Sequence, residues 1–175
     1  SDVYKRQIPA GVTAIENNEF VGCASLKEII FEGSVTKIGN ASFDGCAALD
    51  TIDLSQVNSV GNNAFRGCAA LEYVNLPQAA TIGANSFEGC SALKEASIPK
   101  VAKISNYAFS NCGKLVSVSA AAATEAGDFA FFGCASLESI SLPELKTLGK
   151  SAFAGCSSLK EFVAPNLSSV SYTHL

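Results

Sequence analysis

Apolar residues recur along the chain at fixed offsets rather than in blocks. In NAFRGCAALEYVNLP, residues 63–77, the inward pattern is Phe65, Cys68, Leu71, Val74 and Leu76, with small or mostly polar residues between them. The phrase returns at residues 85–99 as NSFEGCSALKEASIP. Phe20, Phe43, Phe65, Phe87, Phe109, Phe131 and Phe153 share one phase. Cys23, Cys46, Cys68, Cys90, Cys112, Cys134 and Cys156 share a second, and Leu26, Leu49, Leu71, Leu93, Leu115, Leu137 and Leu159 a third. The first step, from Phe20 to Phe43, is one longer than the others, which keep a period of about 22 residues. A period of this size marks a solenoid, because one such unit cannot bury its apolar face alone and must stack on its neighbours.

Within a unit, Leu71, Val74 and Leu76 end in period-two alternation, which predicts a short strand with one buried face. Pro77, Pro99, Pro143 and Pro165 close such strands, where a missing N–H costs little. An apolar pair three apart follows, as in Val101 and Ile104 or Leu145 and Leu148. A glycine or serine then precedes x-x-Ala-Phe. That pattern predicts one short helical turn, with Gly61, Gly83, Ser105, Gly127 or Gly149 at its N-cap. The residue before each cysteine is Gly22, Gly45, Gly67, Gly89, Asn111, Gly133 or Gly155, the two types that best tolerate positive φ. A left-handed residue is expected there to end the turn and redirect the chain. The residue before Phe is small in six of the seven units, which suits coils stacked at strand spacing of about 4.8 Å.

Composition narrows the reading. The chain has 175 residues, 48% of them apolar and 16% charged, enough for one folded domain and too little charge for a disordered tail. The net charge of −4 gives no basic footprint, so nucleic acid is not an expected partner. No apolar run approaches the roughly 18 residues of a spanning helix, so no membrane insertion is expected. There is no methionine, and the sequence reads as a mature or truncated stretch.

The phrases SVGNNAFRGCAALEYVNLP and TLGKSAFAGCSSLKEFVAP resemble the BspA-type leucine-rich repeat over residues 8–170. The resemblance implies an α/β leucine-rich-repeat solenoid. It would carry parallel strands on one face and short helical or 3-10 turns on the other, as about seven units of the 22-23-residue repeat. It also implies a bacterial surface or secreted protein, some members of the family binding host matrix or other surface partners. The asparagine of other leucine-rich classes is replaced here by Val57, Ala79, Val101, Ala123, Leu145 and Leu167, so their ladder of side-chain-to-backbone hydrogen bonds is not expected.

Both ends break the pattern. Backward alignment puts Val3, Arg6 and Ile8 at the three strand core positions, where Arg6 would be a buried charge. Forward alignment puts His174 and Leu175 at the small and Phe positions. Residues 1–7 and 171–175 are therefore expected to be flanks foreign to the solenoid. With no polar cap at either end, flanking repeats of a longer parent chain are expected. The alternative is that these are the true termini of a small protein.

Three readings suit the seven cysteines: a column of buried thiols, disulfides between neighbouring coils, or a metal site. Burial is favoured, because free cysteine is among the most buried residue types. The odd count and parallel side chains argue against disulfides. Cysteines a whole repeat apart lack the close pairs that zinc wants. No catalytic constellation stands out either. His174 is the only histidine and lies in the suspect tail, which removes Ser-His-Asp and Cys-His schemes. The glycines sit at repeat corners rather than in a phosphate loop. No enzyme activity, cofactor or metal is expected.

The varied residues are those flanking the buried strand positions, among them Thr51, Tyr73, Asn75, Glu95, Ser97, Ser117, Ser119, Ser139 and Ser141. A solvated β face is the plainer reading of any one of them. As a patch, Tyr73 with Asn75, Asp53 and Glu95 is the first candidate, since aromatic anchors dominate many interfaces. The row is acidic to neutral, which disfavours polyanions. A second candidate lies in the deviant stretch SAAAATEAGDFAFFGC, where Ala126 replaces the usual Ile or Val and Phe129 and Phe132 are extra. Tyr107 and Phe129 hold the same position in successive units, so the two rings should stack. Phe129 either refills space lost at Ala126 or joins Phe132 in an exposed patch. The expected role is non-catalytic binding of a protein or glycan partner at the bacterial cell surface, as in adhesion. The alternative is a passive spacer.

Overall fold

The computed structural model describes residues 4–171. The first eight strands are β1 (Lys5–Ile8), β2 (Ala14–Ile15), β3 (Glu28–Phe31), β4 (Lys37–Ile38), β5 (Thr51–Ile52), β6 (Ser59–Val60), β7 (Tyr73–Asn75) and β8 (Thr81–Ile82). The next eight are β9 (Glu95–Ser97), β10 (Lys103–Ile104), β11 (Ser117–Ser119), β12 (Glu125–Ala126), β13 (Ser139–Ser141), β14 (Thr147–Leu148), β15 (Glu161–Val163) and β16 (Ser169–Val170). Odd strands pair in parallel with odd, and even with even. The register equals the repeat: Tyr73 sits against Glu95, Val74 against Ala96 and Asn75 against Ser97. Seven Phe-Cys phrases separate eight strand pairs, so the chain makes about eight turns.

The helical side expected from the sequence is absent: among the described residues there is no helix of any kind. The fold is a β-solenoid, and the α/β assignment is corrected accordingly. Local i→i−3 bonds do form, such as Arg66 N–H to Asn63 O at 3.2 Å and Cys68 N–H to Phe65 O at 3.1 Å. Helix propagation is blocked because each turn contains two left-handed residues, for example Asn63 at φ +56° and Gly67 at +71°. Alternate N–H groups are also claimed by the next coil: Phe65 N–H bonds Ser86 O at 2.8 Å and Gly67 N–H bonds Glu88 O at 2.7 Å. The expected left-handed residue before each cysteine is present, from Gly22 at +72° to Gly155 at +77° and including Asn111 at +59°. The proposed N-cap glycines serve close approach instead. A Cβ on Gly61 would lie 2.6 Å from the Asn40 nitrogen of the preceding coil.

Like side chains form columns through the interior. Consecutive rings from Phe20 to Phe153 have centroids 5.3, 5.3, 5.4, 5.4, 5.6 and 5.1 Å apart and lie within 12° of parallel. Cys46, Cys68, Cys90, Cys112 and Cys134 are fully buried beside them. Every described cysteine is a free thiol. Each thiol from Cys46 onward donates to a Phe carbonyl one coil back, as in Cys68 Sγ to Phe43 O and Cys90 Sγ to Phe65 O, both 3.2 Å. A second ladder runs along the outside: Asn40 N–H and Asn62 N–H each donate to the preceding asparagine Oδ1 at 2.8 Å, and Ala84 N–H does so at 2.9 Å. These ladders arise at cysteine and at asparagines of another column, not at the Val57, Ala79 and Val101 position, whose apolar side chains form no such bond.

Arg6 also departs from expectation. It lies in β1 in register with Ile29, yet its side chain is exposed beside Phe20, Cys23 and Leu26 at the first coil's open side. No buried charge results. Lys5–Ile8 continue the strand stack as β1, pairing with β3. Val3, His174 and Leu175 lie outside the described residues.

Candidate functional site

The sheet face formed by β7, β9 and β11 holds an open depression of about 320 Å³. Tyr73, Asn75, Glu95, Ser97, Ser117 and Ser119 line it, with Val74 and Ala96 beneath. The strands place these side chains mechanically. Residues i and i+2 of one strand share the outward face, and the parallel register repeats that pair at the next coil. Tyr73 stands 57% exposed at one end, Glu95 sits against it on the next coil, and the outward residues beyond are serines. The Lys94 Nζ lies 5.9 Å from the Tyr73 ring centroid and 3.1 Å from Glu72 Oε2, which fixes a cation at the rim rather than on the floor.

Of the four residues chosen for this patch, the structure brings Tyr73, Asn75 and Glu95 together and leaves Asp53 outside the depression. β5 ends at Ile52, so Asp53 already belongs to the following turn. Its Oδ1 accepts the Ser55 N–H at 2.9 Å, and the backbone and hydroxyl of Ser55 hold the carboxyl below its ordinary value. The serines of the lining were visible in the sequence as outward residues but carried no signal of their own until the hollow was formed.

The second candidate patch lies on the turn side. The Tyr107 and Phe129 rings stack at 4.9 Å and 9°, as their shared phase required. Phe132 meets Phe129 edge-on at 5.8 Å. Tyr107 and Phe132 are exposed and Phe129 is half-buried. Phe129 does not pack on the core that contains Ala126, so it does not refill the space above that alanine. Tyr107 and Phe129 both occupy left-handed backbone, at φ +58° and +56°, a conformation that bulky residues rarely adopt.

The thiols offer no reactive centre in the buried column. Burial, reinforced by Cys23, pushes Cys46 up to about 11, and burial pushes Cys112 up to about 12, against an ordinary 9.0. Cys68 and Cys90 rise for the same reason. Among the described residues no three His, Cys, Asp or Glu side chains converge as metal ligands, and no helix is long and apolar enough to cross a membrane.

A stack of parallel strands whose register equals the sequence period, with a Phe-x-Gly-Cys corner, defines a bacterial-type leucine-rich repeat solenoid. The sequence matches the BspA type leucine rich repeat region in six copies, over residues 2–116 and 80–174, and the chain belongs to that family. Its fold is similar to that of a leucine-rich repeat protein from Bacteroides ovatus, with 24% identity and a TM-score of 0.60 over 95% of this chain and 56% of that one. It is also similar to a leucine rich repeat protein of T. pallidum, with 22% identity and a TM-score of 0.60 over 90% of this chain and 78% of that one. The chain therefore spans little more than half the length of the Bacteroides protein. No match to a characterised protein was found.

Proposed function

We propose that the protein is a non-catalytic recognition module that presents the β7-β9-β11 face to a protein or glycan partner at the bacterial cell surface. The observation that carries this reading is the gathering of Tyr73, Asn75 and Glu95 around one hollow, on a scaffold whose inward residues are otherwise monotonous. Leucine-rich repeat proteins are generally interaction modules, and a rigid sheet face that needs little ordering on contact favours such use. Membership of the family supports a surface location, and flanking repeats of a longer chain would continue the same face.

The test is retention of beads carrying the protein on wells coated with mucin or collagen. Wild-type beads are expected to be retained, and Tyr73→Ala beads to be lost with an unchanged melting temperature. Retention equal for the two proteins would overturn this face as the binding surface, and retention absent for both assigns the solenoid to spacing instead.

A further inference from the structure

We infer that the ligand of the β7-β9-β11 face is a neutral saccharide, bound with a ring against Tyr73 and its hydroxyls over the serine floor. This rests on the proposal that the face is a recognition surface.

The charge on the face points this way. The outward residues from β7 to β13 are Tyr73, Asn75, Glu95, Ser97, Ser117, Ser119, Ser139 and Ser141, with no cation among them. The nearby Lys94 is held by Glu72 at the rim. A ligand carrying phosphate, sulfate or several carboxylates would meet Glu95, and the cation beside the hollow, Lys94, is already paired with Glu72.

Uncommitted hydrogen bonding points the same way. Several hydroxyls elsewhere in the fold bond carbonyls of the preceding coil, as Ser105 does Ile82 at 2.8 Å and Ser136 does Gly113 at 2.7 Å. Among the described residues the fold gives no such partner to Ser97, Ser117, Ser119, Ser139 or Ser141, which repeat at strand spacing of about 4.8 Å. A hydroxyl both donates and accepts and rotates to suit its partner. Five in two short columns match a ligand that itself presents hydroxyls in series.

A peptide, the main competitor, does not suit the face. A peptide would bind a sheet either by adding a strand or by seating apolar side chains in pockets. β9 is already paired on both sides, with β7 and β11, so no backbone is open there. Beneath the serines lie only Val74 and Ala96, both buried and too small to make a deep apolar socket, and the one ring is Tyr73. A pyranose, with an apolar C–H face and a hydroxyl edge, fits one aromatic wall and a hydroxyl floor.

The test is affinity electrophoresis of the whole chain in native gels cast with dextran, yeast mannan, barley β-glucan or arabinogalactan, with heparin as the polyanion. At least one neutral polysaccharide is expected to retard the wild type, and heparin is not. Tyr73→Ala and Ser119→Val should each weaken that retardation about tenfold or more, with unchanged melting. Ser59→Val, on the other sheet, should not. Retardation by none of the four neutral polymers, or by heparin alone, overturns the saccharide. If Tyr73-dependent bead retention then survives periodate oxidation of the coated wells, the face binds protein and the recognition reading stands. If the beads were never retained, both readings fall.

Discussion

The turns at 41–46, 63–68 and 85–90 and those at 107–112 and 129–134 share one backbone and wear opposite surfaces. In the first group the left-handed position holds Ala41, Asn63 and Asn85, at φ +51°, +56° and +57°. Three residues on stand Asp44, Arg66 and Glu88. Arg66 grips Asp44 through two bonds of 3.0 and 2.7 Å, and Glu88 accepts from Asn85 Nδ2 at 2.6 Å. In the second group the same columns hold Tyr107 and Phe129, then Ser110 and Phe132. Asparagine enters left-handed backbone cheaply and a bulky ring does not. The coil geometry therefore does not ask for the aromatics; ring–ring contact across coils offsets the cost, and the remaining apolar surface stays in water.

The largest way to probe the comparison is to attack what both groups share. Each buried thiol is more acidic in the unfolded chain than in the fold. Its stabilisation is thus complete below the ordinary 9.0 and is lost as pH rises through the folded value, about 11 for Cys46 and about 12 for Cys112. Urea midpoints should hold level to pH 9 and then fall steeply, since each titrating thiol removes about 1.4 kcal/mol per pH unit. A flat midpoint up to pH 11 would contradict thiol burial in both groups.

Next come the rings of the interior. Phe87→Ala and Phe109→Ala, one from each group, should each cost about 3–5 kcal/mol, because both rings are fully buried between stacked neighbours. Clearly unequal losses would show that the two groups differ inside as well as outside. Gly89→Val should cost roughly 1–3 kcal/mol more than Glu88→Val, since only residue 89 sits at φ +72°. Differential scanning calorimetry of the pair reads this directly.

Smaller still is the effect that separates the groups. Phe132→Ser should change stability by less than about 1 kcal/mol, because the ring lies off the core. A loss of several kcal/mol would make the aromatic cluster part of the packing. Smallest is Ser86→Ala. The Ser86 hydroxyl is buried without a partner, whereas Ser42 at the equivalent position bonds Gly39 O at 2.9 Å. Removing it should be neutral or slightly stabilising, while Ser42→Ala should destabilise by about 1 kcal/mol.

The strands were legible in the sequence because period-two alternation and closing prolines are local signals, and the register follows once it equals the repeat step. That is also why Tyr73, Asn75 and Glu95 could be grouped. Asp53 was grouped with them by column alone, and the strand before it proved one residue too short. The turn side misled because Gly-x-x-Ala-Phe looks locally helical, while the direction of its N–H groups is set by the adjacent coil. The left-handed column holds Asn, Ala, Tyr, Phe and Ser, so only the asparagines hinted at it. Burial of Cys46, Cys68, Cys90, Cys112 and Cys134 was readable from phase, whereas Cys23 on the first coil is exposed and Cys156 is half-buried; the carbonyl that Cys68 bonds belongs to Phe43, more than a full unit back, and becomes visible only when coils are placed.

The thiol and asparagine ladders tie each coil only to the one beside it, as do the ion pairs Lys94–Glu72 and Lys103–Glu125. Among the described residues nothing spans the stack from end to end. Under tension at its termini the chain should therefore yield like a zipper, one coil per event, each releasing about 75 Å of contour. A protein anchored at one end and gripped at the other would in this way lengthen in even steps under load, with the coils still stacked keeping their shape.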